Sequence, residues 1–209
     1  GLGVTPILEY GTQEQKSTWL PDLVAGRTLA GFGLTEPGAG SDASATKTKA
    51  VLDGDEWVVN GSKQFITNSG SDITSLVTVT ARTGTRDNGS PEISAIILPS
   101  GTPGFVAGPP YDKLGWHISD THPLSFTDVR VPADHLLGER GRGYAQFLAT
   151  LDDGRVAIAA VAGVSGGARP GTGRAGGQQG LAVDRFAGGG RRRHRDVRHG
   201  QGLFDGAGQ

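Results

Sequence analysis

The sequence predicts an α+β protein: an antiparallel β-barrel or sandwich flanked by a short N-terminal helix and one C-terminal helix, followed by a disordered tail. Three observations carry this. Between residues 45 and 131 the pattern is mostly period-two: Thr46, Thr48 and Ala50 alternate with Lys47 and Lys49, Val77 and Val79 with Thr78 and Thr80, and Ile93, Ala95 and Ile97 with Ser94 and Ile96. Asp53-Gly54, Asn60-Gly61 and Asn88-Gly89 punctuate that stretch as hairpin turns, and many short strands so punctuated imply a closed or sandwiched sheet. Beyond Gly138–Gly143 the period changes to about 3.6, with Tyr144, Phe147, Leu148, Leu151, Arg155, Ile158 and Val161 recurring at three- and four-residue steps.

In chain order, residues 5–25 read as a helix, with Thr12 placed to cap Glu14-Gln15-Lys16, Trp19, Leu20 and Leu23 on one side, and Pro21 interrupting it. Residues 29–34 read as a strand entering a glycine-rich loop, and residues 29–138 as the β domain. Residues 139–161 begin a helical segment that Gly163, Gly166, Gly167 and Pro170 are expected to end. Residues 162–209 hold 15 of the 36 glycines and few large apolar side chains, too little burial to offset chain entropy.

The chain of 209 residues is long enough for one good core or two small ones. Its net charge of −1 hides an asymmetry: residues 162–209 carry eight Arg against three Asp, so residues 1–161 are strongly acidic. Without cysteine there is neither a disulfide framework nor a thiolate metal site, and no metal ligand set is nominated. The longest apolar run, Val156 to Val164, falls far short of the roughly 20 residues a bilayer span needs. No basic-plus-apolar export signal is visible, and a cytoplasmic location without a membrane partner is expected. The five arginines within residues 191–198, with no aromatic among them, support only salt-sensitive, non-specific attraction to nucleic acid.

The chemistry concentrates in residues 33–45, Gly-Leu-Thr-Glu-Pro-Gly-Ala-Gly-Ser-Asp-Ala-Ser-Ala. Gly38 and Gly40 permit positive φ and close approach of a ligand, Pro37 fixes one φ angle, and Ser41 can donate to a phosphate or carbonyl without bulk. Such a loop offers amides and hydroxyls to an anionic or carbonyl-bearing ligand, although an ordinary surface turn uses the same residues. A second segment, Asn60-Gly61-Ser62-Lys63-Gln64-Phe65-Ile66-Thr67-Asn68-Ser69-Gly70, follows through two strands and the Asp53-Gly54 turn.

Together the two segments resemble the acyl-CoA dehydrogenase family, whose middle domain carries a Leu-Thr-Glu-Pro-Gly-Ala-Gly-Ser-Asp motif and then a Gly-x-Lys-x-aromatic-Ile-Thr-Asn motif. Further matches are Glu14-Gln15-Lys16, Leu20-Pro21, Gly115-Trp116, Ser119-Asp120-Thr121, Phe126-Thr127-Asp128-Val129-Arg130-Val131-Pro132 and Leu151-Asp152-Asp153-Gly154-Arg155, so the resemblance covers about residues 4–161. It implies that residues 1–28 end an N-terminal helical domain, 29–138 form the β-rich middle domain, and 139–161 start a C-terminal helical bundle. It also implies FAD as cofactor, an acyl-CoA thioester as substrate, electron-transferring flavoprotein as acceptor, and homo-oligomers in the family.

By the same resemblance, Phe32, the Leu34 backbone and Thr35 lie near the flavin ring, Gly40 and Ser41 near the pyrophosphate, and Phe65, Ile66 and Thr67 on the ring's other side. Ser41 also reaches the CoA arm, as do Asp152 and Arg155, with Ser90 near the CoA end. For Phe32 and Phe65 the alternative is a simple core role, and for Asp152 and Arg155 an exposed helix pair. The family often has Tyr where Phe32 stands and most often Trp where Phe65 stands; the aromatic body is kept and a hydrogen bond lost.

No catalytic base is nominated. The family supplies a glutamate either far towards its C-terminus or immediately before the arginine that Arg155 matches, and that position is Gly154 here, while residues 162–209 contain no Glu. Where the family helix should continue, the composition turns to Arg, Gly, Ala and Gln, as a shifted reading frame of a GC-rich gene would produce. The alternatives to a dehydrogenase are a non-catalytic remnant β domain with a basic tail and a basic-tail binding module.

Overall fold

A computed structural model describes residues 1–167, and the expected disordered tail with its arginine cluster lies, apart from its first residues, outside them. The N-terminal stretch forms two helices rather than one, α1 (Thr5–Tyr10) and α2 (Gln13–Val24). The break falls at Gly11–Thr12 because Thr12 starts its own helix: its Oγ1 accepts from the Gln15 amide at 3.1 Å while Gln15 Oε1 accepts from the Thr12 amide at 3.0 Å. Pro21 does not interrupt α2; it and Ser17, whose carbonyl loses the proline's missing N–H, are both exposed, so that carbonyl is not left unpaired in the interior. Gln15 also donates to the Asp134 and Leu136 carbonyls at 2.6 and 3.0 Å, tying α2 to the far end of the β domain.

Eight strands form one sheet: β1 (Leu29–Gly33), β2 (Lys49–Asp53), β3 (Glu56–Thr67), β4 (Thr74–Thr85), β5 (Pro91–Pro99), β6 (Phe105–Ala107), β7 (Thr121–Pro132) and β8 (Leu136–Leu137). Their order is β6-β7-β3-β2-β4-β5-β8, with β1 beside β4. The two ends of that path do not pair, so of the barrel and sandwich expected the closed barrel is not formed, while a mainly antiparallel β domain with few helices is. Most pairings are antiparallel, but β1 and β2 both run parallel to β4 along the same edge. β1 accompanies β4 as far as Val79, and β2 meets it at Arg82. The chain leaves the sheet between those points as the loop 34–48.

The Asp53-Gly54 and Asn88-Gly89 turns close hairpins as expected, but Asn60-Gly61 runs straight through β3. Long-range pairing overrides the local turn signal there: the Asn60 amide bonds both the Asp128 carboxylate and the Asp128 N–H at 2.9 Å, across a bulge in β7. Gly61, at φ +148°, passes Thr48 so closely that a Cβ would lie 2.6 Å from its Cα.

β4 and β5 are buried on both faces, and the alternation separates two cores. Val77, Val79, Ala81, Ile96 and Leu98 join Trp57, Val59, Leu124, Phe126 and Val131 on one side. Leu76, Ala95 and Ile97 join Ile7, Leu23, Leu137 and Phe147 on the other, where the helices lie. Helix α3 spans Gly143–Gly167, so the glycines at 163 and 166 do not end it; helical hydrogen bonding there outweighs the ~1 kcal/mol a glycine costs. No described helix is long and apolar enough to cross a membrane.

Candidate functional site

The gap between β1 and β2 along β4 is filled by Lys63, among the largest fully buried side chains of the domain. A bulge in β3 at Gln64-Phe65 makes this possible: it lets Lys63 and Ile66, three positions apart, both turn inward. The Lys63 ammonium meets the Leu34 carbonyl at 3.2 Å, Glu36 Oε1 at 2.9 Å, Thr46 Oγ1 at 3.2 Å and Thr80 Oγ1 at 3.0 Å. Glu36 also accepts from Thr46 Oγ1, from the Lys47 amide at 2.6 Å and from the Thr48 amide at 3.1 Å. The loop is thus folded around a buried ion pair. Its tip is the two-residue turn Pro37-Gly38, closed by reciprocal amide–carbonyl bonds between Glu36 and Ala39 at 3.0 and 3.1 Å.

Burial works to raise the Glu36 pKa, but the Lys63 charge and the hydrogen bonds from Thr46, Lys63 and the Lys47 amide outweigh it and hold the carboxyl at about 2. Burial pushes the Lys63 ammonium down to about 8 against the pull of Glu36, which leaves both groups charged at neutral pH. The ordinary Glu36 pKa is near 4.5, so its ionised form stabilises the fold above that value and the stabilisation disappears as pH falls towards 2. Urea unfolding between pH 5 and 2 should show a loss of about 3 kcal/mol that Glu36→Gln abolishes. The same acid slope in the variant would assign it to other carboxylates.

Outside this buried knot lies a polar face. The Gln64 amide donates to the Thr35 carbonyl at 2.8 Å, which clips the loop to the bulge of β3. Phe65, held at φ +61°, projects outward, 58% exposed, its ring 4.9 Å from that of Tyr111. Thr67 is exposed at the end of β3, beside Thr121 of β7. Thr35 is half-buried, and Gly40 and Ser41 are exposed on the loop. Among the described residues none hydrogen-bonds the hydroxyls of Thr35, Ser41 or Thr67, whereas those of Thr46, Thr48 and Thr80 are engaged. Neither Gly38 nor Gly40 uses the positive φ open to it. What Gly40 provides is room: a Cβ there would meet nothing within 4 Å.

Three candidates point elsewhere. Phe32 stacks on Phe147 of α3 with centroids 4.0 Å apart, Leu34 is buried beneath the helices, and Ile66 lies in the opposite core. Leu34 and Ile66 can therefore meet a ligand only through their backbones. The remaining candidates are separate. Ser90 sits at the tip of the β4–β5 hairpin, donating to Asn88 at 2.7 Å, and Asp152 and Arg155 pair with each other at 2.8 Å on the exposed side of α3.

The turn after Thr67 is braced from β7. The Asn68 amide donates to the Asp120 carbonyl at 3.3 Å, the Gly70 amide to the Asp120 carboxylate at 3.1 Å, and His122 lies between that carboxylate and the Gly108 carbonyl. Sequence reasoning missed Lys63, Tyr111 and this brace. A lysine inside an alternating strand reads as solvent-facing, and its partner Glu36 lies 27 positions away in the sequence.

Residues 31–129 match the family model described as acyl-CoA dehydrogenase, middle domain. Over 161 residues the chain is 52% identical to the probable acyl-CoA dehydrogenase YngJ of Bacillus subtilis, covering 77% of this chain and 42% of that one. The structure of butyryl-CoA dehydrogenase from Megasphaera elsdenii superposes with a TM-score of 0.71 at 46% identity, over 76% of this chain and 41% of that one. Acyl-CoA dehydrogenase from Bacillus anthracis, solved in complex with FAD, superposes at 0.68 with 39% identity, over 74% and 26%. The chain thus spans less than half the length of these relatives.

Proposed function

Since the chain belongs to the acyl-CoA dehydrogenase family, whose cofactor is FAD, we propose that residues 29–138 are the flavin- and thioester-facing domain of an enzyme that dehydrogenates an acyl-CoA at its α,β-carbons. One observation carries this reading: the Gln64–Thr35 clip joins two segments whose outward groups are hydroxyls and a ring left without polar partners among the described residues. Thr35, Ser41 and Thr67 offer hydrogen bonds to a polar, multi-ring ligand, Phe65 offers an apolar face, and the space above Gly40 admits a bulky anion. FAD, when bound, supplies the hydride acceptor. The chain's residues hold and orient it, Phe32 and Leu34 backing the loop from the helical core. Electron-transferring flavoprotein as acceptor, contacts from Ser90, Asp152 and Arg155 to CoA, and homo-oligomer formation follow from family membership as parts of the same proposal.

A second reading, a non-catalytic domain, is favoured by the state of the carboxylates at this face. Glu36 is locked to Lys63, Asp42 accepts from Ser44 Oγ at 2.5 Å, and Asp120 pairs with His122. At Gly154, where part of the family places its base, a Cβ would stand 3.0 Å from Leu2.

Titration with FAD tests the first reading. Thr67→Val exchanges a hydroxyl for a methyl at similar volume and should weaken binding several-fold or shift the flavin potential. Unchanged affinity and potential would remove Thr67 from the site.

A further inference from the structure

The Lys63 ammonium touches nothing outside the buried knot, yet one of its four partners belongs to the polar face. That partner is the Leu34 carbonyl, 3.2 Å away. The chain contains no cis peptide bond among the described residues, and in a trans peptide the carbonyl and the following N–H point in opposite directions. Drawing the Leu34 carbonyl into the gap between β1 and β2 therefore turns the Thr35 N–H outward. Among the described residues no acceptor meets that N–H. The next carbonyl, that of Thr35, is held sideways by the Gln64 amide, so the peptide groups on both sides of Thr35 are oriented by β3.

We propose that Lys63 is a positioning residue for the flavin-binding edge: its ammonium, neutralised by Glu36, holds the Leu34 carbonyl inward and so presents the Thr35 N–H and hydroxyl to the ligand. The proposal rests on the reading that this face binds FAD. It accounts for a feature that stability alone does not require, because a buried ion pair is weak evidence for stability and an apolar pair of the same volume commonly serves as well. An apolar pair has no donor for the Leu34 carbonyl. The hydroxyls of Thr46 and Thr80 have roles in the same device: each offers an oxygen to the ammonium, whose three hydrogens are shared among four acceptors that surround it and keep it beside the carbonyl.

The test compares the 209-residue chain with Glu36→Gln, which keeps the Lys63 nitrogen as donor although it strands the buried amine and lowers stability, and with Lys63→Met/Glu36→Gln, which removes the donor while leaving a neutral interior. FAD dissociation constants are measured by flavin fluorescence alongside thermal unfolding and amide hydrogen exchange. The expected result is affinity within about threefold of the parent for Glu36→Gln and at least tenfold weaker for the double variant, which still melts cooperatively. In the double variant the Gln64 amide should also exchange at least tenfold faster, and the Thr35 amide resonance should move. Parent-like affinity in the double variant, or an equal loss in Glu36→Gln alone, overturns the proposal. If the parent binds no FAD at all, the functional reading of this face fails, and exchange decides separately: unchanged Gln64 protection and Thr35 resonance overturn the positioning role, and their joint change supports it.

Discussion

Lys63→Met alone is expected to lower the unfolding free energy by about 3–5 kcal/mol, because it strands a carboxylate inside the domain without its cation. Glu36 would keep the bonds from Thr46, the Lys47 amide and the Thr48 amide, but lose the charge that outweighs its burial. Its pKa should rise and the variant take up a proton on folding, so that stability becomes pH-dependent near neutrality. Urea unfolding at pH 7 measures the effect, and adding Glu36→Gln should recover most of it. A loss below about 1 kcal/mol would place the pair in the class of solvated surface ion pairs and contradict its burial.

The 209-residue chain supplied with excess FAD, a panel of acyl-CoA thioesters and an artificial electron acceptor is expected to turn over at least ~10²–10⁴-fold more slowly than a complete family member, the range general-base catalysis contributes. The reasoning is local. Abstraction of an α-proton needs a carboxylate free to accept it, and among the described residues Glu36, Asp42 and Asp120 beside this face are engaged by Lys63, Ser44 and His122. Robust turnover would show that a base has been misplaced and that one of these pairs opens when substrate binds.

Some features decided by neighbours in sequence could be read in advance, although Pro21 and the glycines at 163 and 166 read as breaks that do not occur. The Thr12–Gln15 capping box, the Asp53-Gly54 and Asn88-Gly89 hairpins and the change of period into α3 all depend on residues a few positions apart. Features decided by distant residues were not legible. Asn60-Gly61 carries a strong hairpin signal that Asp128, 68 positions later, overrides. The parallel course of β1 and the open sheet follow from strand order, on which alternation is silent. Of the candidate site, Thr35 and Phe65 meet at the Gln64–Thr35 clip, with Ser41 and Thr67 exposed further along the same two segments, while the reason the clip holds its shape lies in a lysine that period-two reasoning assigns to solvent.

The strand order has a consequence for how the chain reaches its native state. β3 finds its partner β7 only after the intervening β4, β5 and β6 have been made, and the Arg130–Glu56 contact within that pair joins residues 74 positions apart. Little of the sheet's centre can form from local contacts, so this is a topology of high contact order, for which folding times of milliseconds to seconds are typical. Until β7 arrives, one edge of β3 stands open with the Trp57, Val59 and Ile66 side chains uncovered, a surface on which another chain's strand can pair. The interval between synthesis of residue 67 and residue 121 is therefore the one in which this edge stands without its native partner.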